Sequence, residues 1–395
     1  MPASPSQPGT PSLLRAINDR AALELLLSRG PLSRGELGRL TGLSKPTASQ
    51  LLARLEAAHL VVPIGITAGR PGPGATLYEI NARVAHVAGL DVTPTRIRVA
   101  VADITGRTVA EHRLPTPGRH GTLDRVAEAL DAALAVAGLT RDELHRVVIG
   151  TPGALDPGTG KLRYAPHLPG WHSPRLLAEL TEALDLPVDV ENDVNLAAVA
   201  EQKVGLAQGV EDFVLLWAEE GVGAAVVIAG RLHRGHTGGA GEVGYMPMPG
   251  APLMKNVRRE NSGGFQELAG APAVRALARE HRISGRTARD MVTRARQLAE
   301  GGDEAATAFL GTLAQRLATG LAAIVAVMDP ELVLLSGDIP IAGGEPLRTL
   351  VADGLTGLAV PRPRLAISEL TGSPVVTGAL QAALSTVREQ VFTTH

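Results

Sequence analysis

Residues 213 to 229 contain the outline of an anion site. An apolar run, Phe213 to Trp217, leads into Gly221-Val222-Gly223, and a second apolar run follows from Ala224 to Ala229. Two strands joined by a glycine turn can aim backbone N–H groups at a phosphate. In this chain Glu219 and Glu220 stand at the mouth of that turn. Two like unit charges about 4 Å apart repel by roughly 4 kcal/mol at an effective dielectric near 20. The turn therefore has the shape of a phosphate cradle and the charge of a phosphate excluder. A second group of chemically useful residues lies near the start of the chain. Ser44, Lys45, Thr47, Ser49 and Gln50 open the segment "SKPTASQLLARLEAAHL". Hydroxyls, amides and a lysine at the start of a helix suit contact with base edges and phosphates in a major groove.

The elements around Ser44 agree with that use. Leu13, Leu14, Ile17, Ala21, Leu25 and Leu26 recur at helical steps, and Gly30-Pro31 ends the run. Ser33 with Glu36 has capping-box spacing, and the short helix it opens stops at Gly42. Ser44 caps a third helix with Pro46 in its first turn, completing a helix-turn-helix. Ala48, Leu51, Leu52 and Leu55 form its inward face, and Arg54 lies a turn beyond the polar start, placed for a phosphate contact. Two short strands, "LVVPIG" and "TLYEIN", flank "ITAGRPGPGA" and make a wing. Arg70 at its tip suits a narrow minor groove. A three-helix protein-docking module with a hairpin is the alternative, and the agreement of wing and polar helix start favours DNA.

Composition bounds the rest. The chain has 395 residues, which implies two or three domains. It contains no cysteine, so disulfides and thiolate metal sites are excluded. Residues 1–80 hold eight Lys and Arg against five Asp and Glu, a basic head on an acidic body. No uninterrupted apolar run reaches the roughly 18 residues of a membrane span, and the "MPASPSQPGTPS" start lacks a signal pattern. A disordered leader over 1–11 and a cytoplasmic location are expected.

From Val87 on, strand-like and helix-like segments alternate: three successive strands, a helix, "RVVIG", a helix, "VDVEN" and a helix. The pattern then restarts at "DFVLLWA". Two α/β halves that open alike predict a two-lobed body with a cleft. The motifs "GTPGALDP" (150–157), "LPGWH" (168–172), "ENDVNLAAVAE" (191–201), "GGAGEVGY" (238–245) and "SGGFQELAG" (262–270) follow in order along this body. With the winged head, the chain resembles the ROK family of repressors and sugar kinases over nearly its whole length.

That resemblance implies a winged helix-turn-helix over 12–81 and an actin-like, hexokinase-type ATPase fold over 82–395. Lobe one would span about 82–193 plus a C-terminal helix at about 375–392, and lobe two about 194–374. It also implies sugar contacts at Asn192, Asp193, Glu242 and Glu267, with Asp193 where the family's kinases keep a general base. A carboxylate beside an amide suits hydroxyl recognition. Taken alone, Asp193 could equally cap the helix that follows it, and Trp171 could pack beneath the ligand or belong to the core.

Both phosphate loops of the family's kinases are altered. Asp91-Val92-Thr93-Pro94-Thr95 has Thr93 for a glycine, and Pro94 lacks an N–H donor. Glu219 and Glu220 fill the second loop. Tyr245 stands where the family has a histidine and is a further sugar-binding candidate, able to donate a hydroxyl or stack under the sugar's apolar face. Arg258, Glu260 and Phe265 stand where the family's zinc cysteines lie, so a zinc site is not expected. The expected protein is a sugar-responsive DNA-binding regulator of carbohydrate uptake or metabolism genes, a repressor, without catalysis, cofactor or metal. It would bind operator DNA as a homodimer or homotetramer. Two alternatives stay open: an ATP-dependent sugar kinase with a DNA-binding head, and a regulator controlled by a protein partner.

Overall fold

The computed structural model describes residues 11–66, 75–116, 121–163, 171, 173–253 and 263–393. The expected leader, Arg70, His172, Arg258 and Glu260 lie wholly or largely outside them.

The head comprises α1 (Pro11–Arg29), β1 (Leu32–Ser33), α2 (Arg34–Thr41), α3 (Lys45–Ala57), β2 (Val61–Ile66) and β3 (Thr76–Ile80). Ser33 caps α2 with the reciprocal Glu36 contact, and Gly42 ends it in the left-handed conformation that a side chain would strain. Ser44 then caps α3 with Pro46 in the first turn. Strands β1, β3 and β2 form the antiparallel wing sheet.

Lobe one contains β4 (His86–Val92), β5 (Arg96–Asp103), β6 (Thr108–Pro115), α4 (Thr122–Ala137), β7 (Leu144–Thr151), the β8 (Ala154–Leu155) and β9 (Leu162–Arg163) hairpin, α5 (Leu176–Leu184) and β10 (Val188–Asn192). Its sheet runs β10-β7-β4-β5-β6. After α6 (Asp193–Val204), the second lobe contains β11 (Phe213–Ala218), β12 (Val222–Ile228), β13 (Arg231–Leu232), α7 (Gln266–Ala269), α8 (Ala271–Glu280), α9 (Ala288–Glu300), α10 (Glu304–Met328), β14 (Leu332–Ser336), α11 (Asp338–Leu358) and β15 (Arg364–Ile367). Its sheet runs β13-β12-β11-β14-β15. Each lobe thus opens with a three-strand antiparallel meander and adds two parallel strands on the far side of the first. The two sheets are topological copies. The turns at 93–95 and 219–221 are equivalent in the two copies.

α12 (Pro374–Thr393) returns from the lobe-two sheet to cover β4 and β7 and crosses α6. The crossing is so close that a Cβ on Gly378 would lie 1.8 Å from the Leu196 carbonyl oxygen. Head and lobe one share one hydrophobic core. Leu23, Leu26 and Leu55 belong to the same buried cluster as Ala102, Leu384, Val387 and Phe392. α10 is 25 residues long and apolar enough, by length and composition, to span a bilayer. Its Phe309, Leu313, Leu317 and Leu321 are fully buried in the lobe-two core.

Candidate functional site

At the head, Ser44, Lys45, Thr47 and Gln50 are exposed on the first turns of α3 and Ser49 is half-buried. Ser44 and Thr47 share a hydroxyl hydrogen bond of 2.8 Å, and the Ser49 hydroxyl donates to the Lys45 carbonyl at 2.8 Å. Lys45 and Gln50 extend from this locally satisfied surface. Arg54 departs from the expected phosphate contact. Its guanidinium donates from Nη2 to Asp19 Oδ1 at 2.6 Å and from Nε to Oδ2 at 3.3 Å. Asp19 is 7% exposed, so the fork pairs a nearly buried charge and staples α3 to α1. Sequence spacing could not reveal this partner 35 positions away.

In the cleft, the end of β10 and the start of α6 place Asn192 and Asp193. Asn192, not Asp193, caps α6: its Oδ1 accepts the Asn195 N–H at 3.0 Å, and its Nδ2 donates to the Gly153 carbonyl at 3.0 Å. Asn192 therefore differs from the free hydroxyl-binding amide expected from sequence, because protein groups already engage both ends of it. The Asp193 carboxylate accepts the Val194 N–H at 2.8 Å and is also held by its own backbone N–H. Burial first, and then the nearby Asp91 carboxylate, push Asp193 up to about 6. Glu242 is pushed up to about 7 by burial and by Asp193. The structure thus brings these two carboxylates into one weakly hydrated neighbourhood.

Glu242 sits just before a short turn, Val243–Tyr245, held against β12 by glycines. A Cβ on Gly241 would lie 1.9 Å from the Ala224 carbonyl oxygen, and one on Gly244 would lie 2.5 Å from that of Val222. Phe265 donates its N–H to the Met246 carbonyl at 2.9 Å, which joins this motif to the segment carrying Glu267. Glu267 and Tyr245 are half-buried beside it. Trp171 is fully buried in the lobe-one core. His236 is exposed.

Backbone groups of both phosphate loops are bonded within the protein. In the first, the Thr93 and Arg96 N–H groups are taken by Arg96 O and Thr93 Oγ1, closing the turn on itself. In the second, Glu219 N–H bonds Gly221 O, and the Glu219 and Glu220 carbonyls accept the Ala271 N–H that starts α8. Burial first, then Asp338 and more weakly Asp193 and Asp91, push the Glu219 carboxyl up to about 7 against the opposing Arg96. Glu219 therefore feels three further carboxylates, those of Asp338, Asp193 and Asp91. Asp338, at the start of α11, and Asp91, only 3% exposed, were not singled out as site residues by sequence reasoning. The Asp that follows Gly337 at a strand end was the available signal.

The family's zinc site does not fit this chain either. Phe265, at a thiolate position, is fully buried, and its ring fills the notch left by Gly320 on α10, where a Cβ would lie 2.2 Å from Cζ. An apolar wedge stands in place of a metal staple. Among the described residues no group of three or more His, Asp or Glu is arranged to hold a metal.

A winged helix on a duplicated, two-lobed α/β body with a carboxylate-lined cleft defines a sugar-kinase-like scaffold joined to a DNA-binding head. Comparison with known proteins agrees. The ROK family model matches residues 87–372, and a MarR family model matches residues 18–65. The chain belongs to the ROK family and carries a MarR-type winged helix. It is 23% identical to the DNA-binding transcriptional dual regulator NagC of Escherichia coli strain K12, across 86% of this chain and 84% of that protein. It is 28% identical to a glucokinase of Halalkalibacterium halodurans, across 69% of this chain and 86% of that enzyme. The crystal structure of a ROK family transcriptional regulator, a homolog of the E. coli MLC protein, superposes with a TM-score of 0.75. That pair is 20% identical, across 97% of this chain and all of that one.

Proposed function

We propose that this chain is a sugar-responsive, DNA-binding transcriptional repressor that has lost nucleotide chemistry. The observation that carries the reading is the core shared by the head and lobe one, with α12 running through it. The α12 N-terminal end faces the ligand cleft, where Ser373 Oγ lies 3.4 Å from Asp91 Oδ2 and Gly378 crosses α6. Its C-terminal residues Leu384, Val387 and Phe392 reach the core of the head. A sugar held by Asp193, Glu242 and Glu267, with Tyr245 beside them, would change how the lobes close on α6. α12 would carry that change to α1 and α3. A ligand shifts DNA affinity only by its differential affinity for the two arrangements. Reading two half-sites requires at least a dimer, and Lys45, Gln50 and the α3 hydroxyls would meet the DNA.

A thermal-shift screen against monosaccharides, amino sugars and sugar phosphates, with and without Mg-ATP, tests this reading. At 100 times its dissociation constant a ligand stabilises by about 2.7 kcal/mol. A sugar response independent of ATP, together with sugar-dependent operator release, supports the repressor. Phosphorylation of any sugar with ATP would establish the kinase instead. Silence to every sugar, together with DNA release by a protein partner, would favour the partner-controlled regulator.

A further inference from the structure

The loop from His233 to Gly241 links β13 of lobe two to the segment carrying Glu242, and it crosses to lobe one. Gly238, at φ +81, lies so near the β8–β9 hairpin that a Cβ would sit 2.6 Å from the Leu155 carbonyl oxygen. The loop's own N–H groups give it a defined shape: Ala240 donates to Arg234 O at 3.1 Å, and His233 donates to Val226 O at 2.8 Å. Its side-chain anchor is Arg234, whose Nε donates to Glu191 Oε2 at 2.6 Å. Among the described residues this is the one ion pair that joins the two lobes.

Glu191 is held on its other side as well. Its Oε1 accepts the Asn192 N–H at 3.0 Å and the Asn195 Nδ2 at 2.9 Å. One carboxylate therefore fixes the turn that presents Asn192 and Asp193 and also catches the loop that leads to Glu242. Its side chain is 16% exposed and that of Arg234 is 58% exposed. The pair is open to solvent on one side, so it can break and re-form without unfolding either lobe.

We propose that Arg234 and Glu191 form a latch that closes the 233–241 loop over the mouth of the ligand cleft, with Arg234 as a positioning residue for that site. The ligand role rests on the sugar-binding reading above; the latch itself does not. Ligand entry and exit require the loop to lift, and closing the latch brings Glu242 toward Asp193. An exposed ion pair is worth little to global stability, so its loss acts on loop closure rather than on the fold.

Hydrogen exchange read by mass spectrometry on the 233–242 amides tests the latch without any ligand, in the full chain and in Arg234→Gln, Arg234→Lys, Glu191→Gln and the Arg234→Gln/Glu191→Gln double variant. Arg234→Gln is expected to speed exchange of these amides by about two- to fivefold with an unchanged melting temperature. Arg234→Lys should restore part of the protection. The double variant should be no faster than the faster single variant, because both remove one interaction. Molar NaCl should speed exchange in the wild type and leave Arg234→Gln unmoved.

Unchanged exchange in Arg234→Gln, or fully additive effects in the double variant, would overturn the latch. Calorimetry with N-acetylglucosamine and glucose as probes then reads the ligand role. A bound sugar should lose about two- to fivefold affinity in Arg234→Gln. An unchanged affinity beside faster exchange would keep the latch and overturn its positioning role. If neither probe binds the wild type, the sugar-binding reading loses support, and the exchange result still decides the latch.

Discussion

Burial raises the proton affinity of both Asp193 and Glu242, with Asp91 adding to the first and Asp193 to the second, and this gives the cleft a pH signature with two opposite signs. Both hold protons in the folded state that the unfolded chain has already released. Folding stability should therefore fall as pH rises from about 5 through 7, and Glu242→Gln should flatten that slope in melts recorded across the range. Binding runs the other way. Sugar hydroxyls donate to ionised carboxylates, so calorimetric affinity should rise over the same window. Asp193→Asn should cost about tenfold or more in sugar affinity, the scale of a hydrogen bond to a charged group, and should not lower the melting temperature. Intact sugar-dependent DNA release in Asp193→Asn would take Asp193 out of the sugar site.

The helices show how a local role can change once packing is known. Arg54 at the surface of an isolated α3 is free for phosphate, but against α1 it neutralises Asp19. Arg54→Ala should destabilise the head by about 1–3 kcal/mol in chemical denaturation and leave the salt slope of DNA binding nearly unchanged. Lys45→Ala should reduce that slope by about one and weaken binding similarly across sequences. Phe265 and Gly320 make a second such pair. Gly320→Ala should cost about 1–3 kcal/mol by overpacking, and a smaller Phe265→Leu partner should recover part of it in a double-mutant cycle. The helix limits, the capping box and the wing strands were legible in the sequence because each depends on neighbours within a few positions. The Asn192 cap was not: sequence left Asp193 as the capping candidate, and only the backbone geometry at the strand end decides which side chain reaches the helix N–H.

For the whole molecule, the duplicated sheets carry two equivalent turns, and on the proposed reading their own hydrogen bonds and nearby acids leave no place for phosphate. Mg-ATP should therefore give no thermal shift, and Glu219→Gln alone should not create one, since Asp338, Asp91 and Asp193 remain. Coupling between lobes and head should depend on the far end of α12. Phe392→Ala should weaken the sugar-induced change in operator affinity more than it weakens sugar binding itself, measured as two separate titrations on one variant.

The order of segments, the restart at Phe213 and the charges in the second phosphate turn are properties of the sequence alone, because periodicity, turn chemistry and like-charge repulsion act over a few residues. Partnership over long separations belongs to the tertiary structure. Only folding brings Asp193 beside Glu242, Asp19 under Arg54, Phe265 into the notch at Gly320 and Glu191 to Arg234. In each case the chemistry was visible in the residue, and the fold decided whether it faces a ligand or another part of the protein.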